Sequence, residues 1–230
     1  MPAIATRKDP TSHYDATYFK WQGKNGRLAG EANRFKFAPF IQPGSRIVDF
    51  GCGDGSLLLA LGGGSGIEIN EHAISVARAS GLHVEQRLRD LPDASADVIV
   101  SNHTLEHVED PLNALREMHR VLAAGGKIVI VVPCDKPSYR FRLDDPDFHL
   151  FSYSVSNLGN LARAAGFRVI EARVIAHAWP PKWPKIQALL GWRAFHMASR
   201  VWARIGPFID LRVRRIRAQV RVVAEKQSGS

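Results

Sequence analysis

The chain is poor in sulfur, and the little it has is not spaced for cross-linking or metal binding. Among its 230 residues are two cysteines, Cys52 and Cys134, both at the ends of expected strands. Neither a disulfide framework nor a thiolate zinc site is expected from such a pair, and a reducing compartment is. No uninterrupted apolar run of about 18 residues occurs, so no membrane-crossing helix is expected. The stretch from Met1 to Pro10 has no apolar core of the kind a secretory leader needs. Acidic residues run short toward the carboxyl terminus: from His177 onward there are 2, Asp210 and Glu225, against 11 basic residues, which leaves 20 of each sign before it. The net charge of +9 therefore belongs to the carboxyl-terminal region, and the rest is neutral. From these absences a cytoplasmic protein is expected, soluble or peripheral at the inner face of the membrane.

What is present is a glycine pattern in a telling place. The apolar run Arg46 to Phe50 leads into Gly51-Cys52-Gly53-Asp54-Gly55 and then into the helical run Ser56 to Leu61. Alternating glycines let the backbone turn sharply and approach a ligand, and amides at a helix start favour a polar one. A second short strand, Gly66-Ile67-Glu68-Ile69, follows at the βαβ distance and carries an acid near its carboxyl end. A carboxylate there accepts hydrogen bonds from both hydroxyls of a ribose. Asp49, ahead of the glycines, would repel a pyrophosphate but suits a cationic or zwitterionic ligand.

The remaining pattern predicts a doubly wound α/β sheet, mostly parallel with an antiparallel last strand and helices on both faces. The expected units are a helix from Glu71 to Ala79, a weak strand near Leu82 to Gln86, and a buried strand from Asp97 to Val100 that delivers Ser101-Asn102-His103. A helix starting at Asp110-Pro111 is closed by Gly125-Gly126 before the strand Lys127 to Val132. A helix capped by Ser154 and closed by Gly166 precedes the strand Phe167 to Ile175, and the last strand runs from Gln219 to Ala224. Residues 1–44 read as an amino-terminal helical cap, 45–178 with 217–226 as the core, 179–216 as a basic amphipathic insertion and 227–230 as a tail. The aromatic residues of the cap, Tyr14 and Tyr18 among them, fit either packing on the sheet or cover over a ligand.

These motifs together resemble class I S-adenosylmethionine-dependent methyltransferases over about residues 46 to 175. The residues that carry the likeness are Val48 to Gly55, Leu91-Pro92, Ala96 to His103, Leu105-Glu106-His107-Val108, and Gly125 to Pro133. The resemblance implies S-adenosyl-L-methionine as cofactor, held by Asp49, Gly51, Cys52, Gly53, Glu68, Ile69, Leu88 and Asn102. One departure stands out: where many relatives have an aspartate for the adenine amino group, the count lands on Arg87, which leaves main chain near Leu88, or Asp90, to read the base. Asn157 to Leu161, Ala165-Gly166-Phe167 and the Trp179-Pro180-Pro181 connector are similar to methyltransferases of bacterial surface glycans. They imply a small-molecule, glycan or lipid-linked hydroxyl acceptor.

Transfer from a sulfonium needs positioning and, for a hydroxyl acceptor, a base. His103 and His149 are the catalytic candidates, with His107 nearby as a cleft or loop residue. Asp144, Asp145 and Asp147 lack a further ligand in the sequence, so a solvated turn is expected there and no metal. The insertion, with apolar residues from Ile186 to Ile205 among Lys185, Arg193, Arg200 and Arg204, reads as an amphipathic helix over 183–205. A cap on the active-site mouth, a homodimer face and an anionic membrane surface all remain open for it. Nucleic acid is a poorer partner, because Ser101-Asn102-His103-Thr104 stands where base amino-methylases carry Asn/Asp-Pro-Pro-aromatic. A catalytically idle cofactor-binding scaffold is the other alternative.

Overall fold

The computed structural model describes residues 26–134, 148–177, 183–209 and 217–227. Tyr14, Tyr18, Asp144, Asp145, Asp147, the connector at 179–182, Arg212, Arg214 and Arg215 lie outside the described residues.

Seven strands form one sheet: β1 (Ile47–Phe50), β2 (Ser65–Ile67), β3 (His83–Glu85), β4 (Ala96–Asn102), β5 (Leu122–Pro133), β6 (Arg168–His177) and β7 (Arg217–Glu225). Their spatial order is β3-β2-β1-β4-β5-β7-β6. Strands β1 to β5 pair in parallel, and β7 inserts antiparallel between β5 and β6. The order reverses between β1 and β4, the place where doubly wound sheets open a crevice at their carboxyl ends.

The helices are α1 (Gly26–Asn33), α2 (Ser56–Leu61), α3 (Glu71–Ala79), α4 (Pro111–Val121), α5 (Val155–Ala164) and α6 (Trp183–Ile209). The central strands are apolar on both faces because both are covered. Ile99, Ile128 and Ile130 pack with Leu115 and Met118 of α4 and Leu158 of α5. On the other face Val98, Val100, Val129 and Val131 pack with Leu57, Leu58, Ile74 and Phe37. Removing each such side chain from water contributes about 1.5–3 kcal/mol. The caps explain why these helices start where the sequence puts them. Asn70 accepts from the Ala73 amide, Asp110 accepts from the Asn113 amide ahead of Pro111, and Ser154 forms a reciprocal capping box with Asn157.

One boundary differs from expectation. Helix α4 ends at Val121 and β5 begins at Leu122, so Gly125 and Gly126 lie inside the strand and do not close the helix. A side chain at Gly126 would meet the carbonyls of Ala123 and Asp97 at 2.8 and 3.1 Å, so this glycine answers to the approach of β4.

Helix α2 is short, and α1 crosses it closely. A Cβ on Gly30 would stand 2.1 Å from the Ser56 carbonyl oxygen and 2.4 Å from its carbon, both backbone atoms that cannot rotate away. Gly30→Ala is expected to lower stability by about 1–3 kcal/mol through this overpacking, read as a lower thermal midpoint.

Candidate active site

The carboxyl ends of β1, β2 and β4 converge on the glycine loop. Gly51, Gly53 and Gly55 all have positive φ, at 78°, 55° and 80°. At Gly51 a side chain would also strike Thr104 at 2.2 Å, so glycine is required there twice over. Glu68, just past β2, fastens the loop: one carboxylate oxygen accepts from the Gly53 amide at 2.9 Å, the other from the amides of Ile69 and Asn70 at 2.8 and 2.9 Å. Beside it Ile69 is 58% exposed, an apolar surface at the ligand end of the sheet.

Asp49 lies at the end of β1, almost fully buried, and its Oδ1 has no hydrogen-bond partner among the described residues. Burial, and then the nearby charge of Glu68, push its carboxyl up to about 7. A buried carboxylate with an unused oxygen next to a second acid is a poor arrangement by itself and a good one for a cationic ligand.

Two features of this loop bear on how it meets a ligand. Cys52 turns its side chain into the core, where its sulfur fills the space that a Cβ on Gly66 would need, so only its main chain faces the loop. Burial, then Asp49 and Glu68, raise its thiol well above the usual range, and it stays protonated. At the start of α2 the Ser56 amide donates to Asp54 Oδ1 at 3.0 Å. Leu88 is buried in a turn at Leu88–Asp90, and its carbonyl accepts from Arg120 at 3.0 Å.

The end of β4 carries the polar cluster. Asn102 is its last residue, and His103 follows in a left-handed conformation with φ 58°, its amide donating to the Val131 carbonyl at 2.8 Å. Such backbone in a residue other than glycine is costly and is concentrated at functional positions. One ring nitrogen of His103, Nε2, contacts the side-chain amide of Gln219 on β7, and the other, Nδ1, lies 3.9 Å from Glu106 Oε1. Glu106 is fully buried, and its Oε1 is also 3.8 Å from His107 Nε2. His149 joins this group because the amides of Leu150 and Phe151 donate to the Glu106 carbonyl, which sets its ring edge-on to His107 at 5.0 Å. One ligand atom from each of Glu106, His107 and His149 falls within 4.8 Å of the others. The sequence thus named His103 and His149 but passed over the carboxylate that unites them.

Lys36 was also missed. It follows α1, is wholly buried, and places its ammonium 3.5 Å from Asn102 Oδ1. Burial lowers it from 10.5 to about 7. Arg221 on β7, paired with Glu171 at 2.7 Å, donates to the Lys36 carbonyl at 3.1 Å and holds this turn in place. A groove of about 800 Å³ opens at the opposite end of the sheet among Arg34, Gly44 and His83 and shares no residue with this cluster.

A family model described as a methyltransferase domain matches residues 22–172, well over half of the chain. The chain belongs to the methyltransferase-domain family. It is a class I S-adenosylmethionine-dependent methyltransferase, and S-adenosylmethionine is its cofactor. Among curated relatives, phosphoethanolamine N-methyltransferase 3 of Arabidopsis thaliana is 29% identical over 57% of this chain and 30% of its own. The ubiquinone biosynthesis O-methyltransferase of Pseudomonas aeruginosa is 31% identical over 55% of this chain and 66% of its own. The chain thus spans less than a third of the first and just under two thirds of the second. In fold, it matches Haemonchus contortus phosphoethanolamine N-methyltransferase 2 in complex with S-adenosyl-L-methionine, with a TM-score of 0.66 at 14% identity over 97% of this chain and 61% of that one.

The site fits this cofactor. The unpartnered oxygen of Asp49 and the acidity shared with Glu68 suit its positive charges, and the loop from Gly51 to Gly53 admits a ligand against the main chain. Asp49, Glu68 and that main chain are the residues that would hold it. When bound it supplies an already activated methyl group. The methyltransferase itself must hold the acceptor in line with that methyl.

Asp49 makes binding depend on pH. Its folded-state pKa lies above the ordinary 3.8, at about 7, so below that value it is neutral and offers a cation little. Affinity for S-adenosylmethionine is expected to rise as pH increases through about 7, and Asp49→Asn should flatten that rise. Because Lys36 titrates in the same window, calorimetry in a Lys36→Met background isolates the carboxylate.

Proposed function

We propose that this methyltransferase methylates a hydroxyl of a saccharide, a lipid-linked sugar or another small hydroxyl compound, with His103 as the proton acceptor. The observation that carries this reading is the position of His103 just past β4, with Nδ1 facing the buried Glu106 at 3.9 Å. A hydroxyl must lose a proton as it is methylated, whereas a neutral amine attacks without prior deprotonation. A histidine backed by a buried carboxylate answers the first need, because the carboxylate stabilises the imidazolium that forms. Nε2 is the nitrogen that would take the proton, and the acceptor hydroxyl would replace Gln219 there. His149, docked on the same turn, borders the acceptor side.

The test is methyl transfer from labelled S-adenosylmethionine to fractionated cell extract, comparing the wild type with His103→Ala. Label in the glycan or lipid-linked fraction, lost in the variant, supports the proposal. Label in amines or nucleic acid overturns it. A chelator arm is included because Glu106, His107 and His149 are close enough to share a cation. Activity that survives chelation fits proton acceptance by the histidines; activity lost on chelation and restored by a divalent cation assigns the cluster to metal ligation instead.

A further inference from the structure

Helix α6 has one side built for the protein and one side with nothing from the described chain against it. Phe195 and Ser199 are buried, Trp192 and Trp202 half-buried, and His196 pairs with Glu31 of α1 at 3.2 Å. These residues, spaced three and four apart, form the inner stripe. The opposite stripe holds Arg193, Met197, Arg200 and Val201, with Met197 and Val201 66% and 51% exposed. At Gly191, with φ 75° and ψ 179°, the helix is kinked, and the turn before the kink presents Leu189 and Leu190, 80% and 68% exposed, beside exposed Lys185.

Such large exposed apolar side chains on one helix normally mark a contact surface. The charge around them selects the partner. No acidic residue occurs anywhere in the helix. A second copy meeting this face across a two-fold axis would bring arginines toward arginines. A nucleic acid would leave the two leucines, the methionine and the valine without a match. A phospholipid surface with anionic headgroups satisfies both halves of the pattern, the apolar side chains entering below the headgroups and the cations lying among them. No described helix is long and apolar enough to cross a membrane, so contact at the surface is the form available to α6.

We infer that the outward face of α6, Leu189, Leu190, Met197 and Val201 with Lys185, Arg193 and Arg200, seats the enzyme on an anionic lipid surface. The helix is tied to the site through the His196–Glu31 pair, because α1 in turn crosses α2 at Gly30, directly after the glycine loop. The enzyme would therefore dock with its cofactor-binding end in a fixed relation to the bilayer. This interaction is independent of which acceptor is methylated.

Co-sedimentation with vesicles tests it. The wild type is expected to bind vesicles containing phosphatidylglycerol at low salt, to release at high salt, and to ignore vesicles of phosphatidylcholine alone. Leu189→Glu with Leu190→Glu, and separately Arg193→Glu with Arg200→Glu, are expected to lower partitioning by about tenfold or more. Unchanged calorimetric affinity for S-adenosylmethionine shows that both variants are folded. The inference is overturned if the wild type stays in the supernatant, if both variants bind as it does, or if the same substitutions abolish a dimer in light scattering.

Discussion

Glu68→Ala is expected to weaken S-adenosylmethionine binding by at least about a hundredfold in calorimetry, the loss of two hydrogen bonds to a charged acceptor at roughly 1.5–3 kcal/mol each. The carboxylate also accepts from the amides of Gly53, Ile69 and Asn70, so its removal loosens the loop that the cofactor rests on. Glu68→Gln separates the two roles. A glutamine keeps the outline but turns its amino group toward one of three backbone donors, so the loop is partly held and affinity should fall between wild type and alanine. Equal affinity in all three proteins would remove Glu68 from the site.

The second large effect is expected at His103. His103→Ala should lower kcat by about 10²- to 10⁴-fold, the usual contribution of a general base, with cofactor affinity unchanged. The acid limb of the rate profile, where a histidine base becomes protonated, should go with it. Glu106→Gln keeps the shape and removes the charge from a site shared by His103 and His107, so it should reproduce part of the loss. A loss confined to KM, with kcat and profile intact, would mean that His103 only shapes the acceptor cleft.

Much of the site was legible because its signals are local. The strand, the alternating glycines and an acid one βαβ unit later lie within about twenty residues of each other, the range over which sequence spacing fixes geometry. The caps at Asn70, Asp110 and Ser154 are local as well, so α3, α4 and α5 start where the sequence puts them. What escaped notice depends on distant chain. Lys36, in an Arg-Phe-Lys-Phe stretch, reads as a solvated cation. It is buried by Asn102 on β4 and by the turn that Arg221 holds from β7, 185 residues away. The inward turn of the Cys52 side chain likewise depends on Gly66 of β2, whose missing side chain leaves the space its sulfur fills. The Gly125-Gly126 pair matched a helix stop in sequence and serves a strand crossing in space. At His103 the position was legible, while its neighbours Gln219 and Glu106 emerged only when β7 and the Leu105–His107 turn came together.

In the proposed reaction two acids and a glycine loop hold the methyl donor while His103, backed by Glu106, serves a hydroxyl acceptor. Product identification with labelled S-adenosylmethionine tests it most directly. The label should appear as an O-methyl ether on a glycan or lipid-linked sugar, formed by the wild type and nearly absent with either Glu68→Ala or His103→Ala. An N-methylated product, or O-methylation at the full rate with His103→Ala, would contradict it.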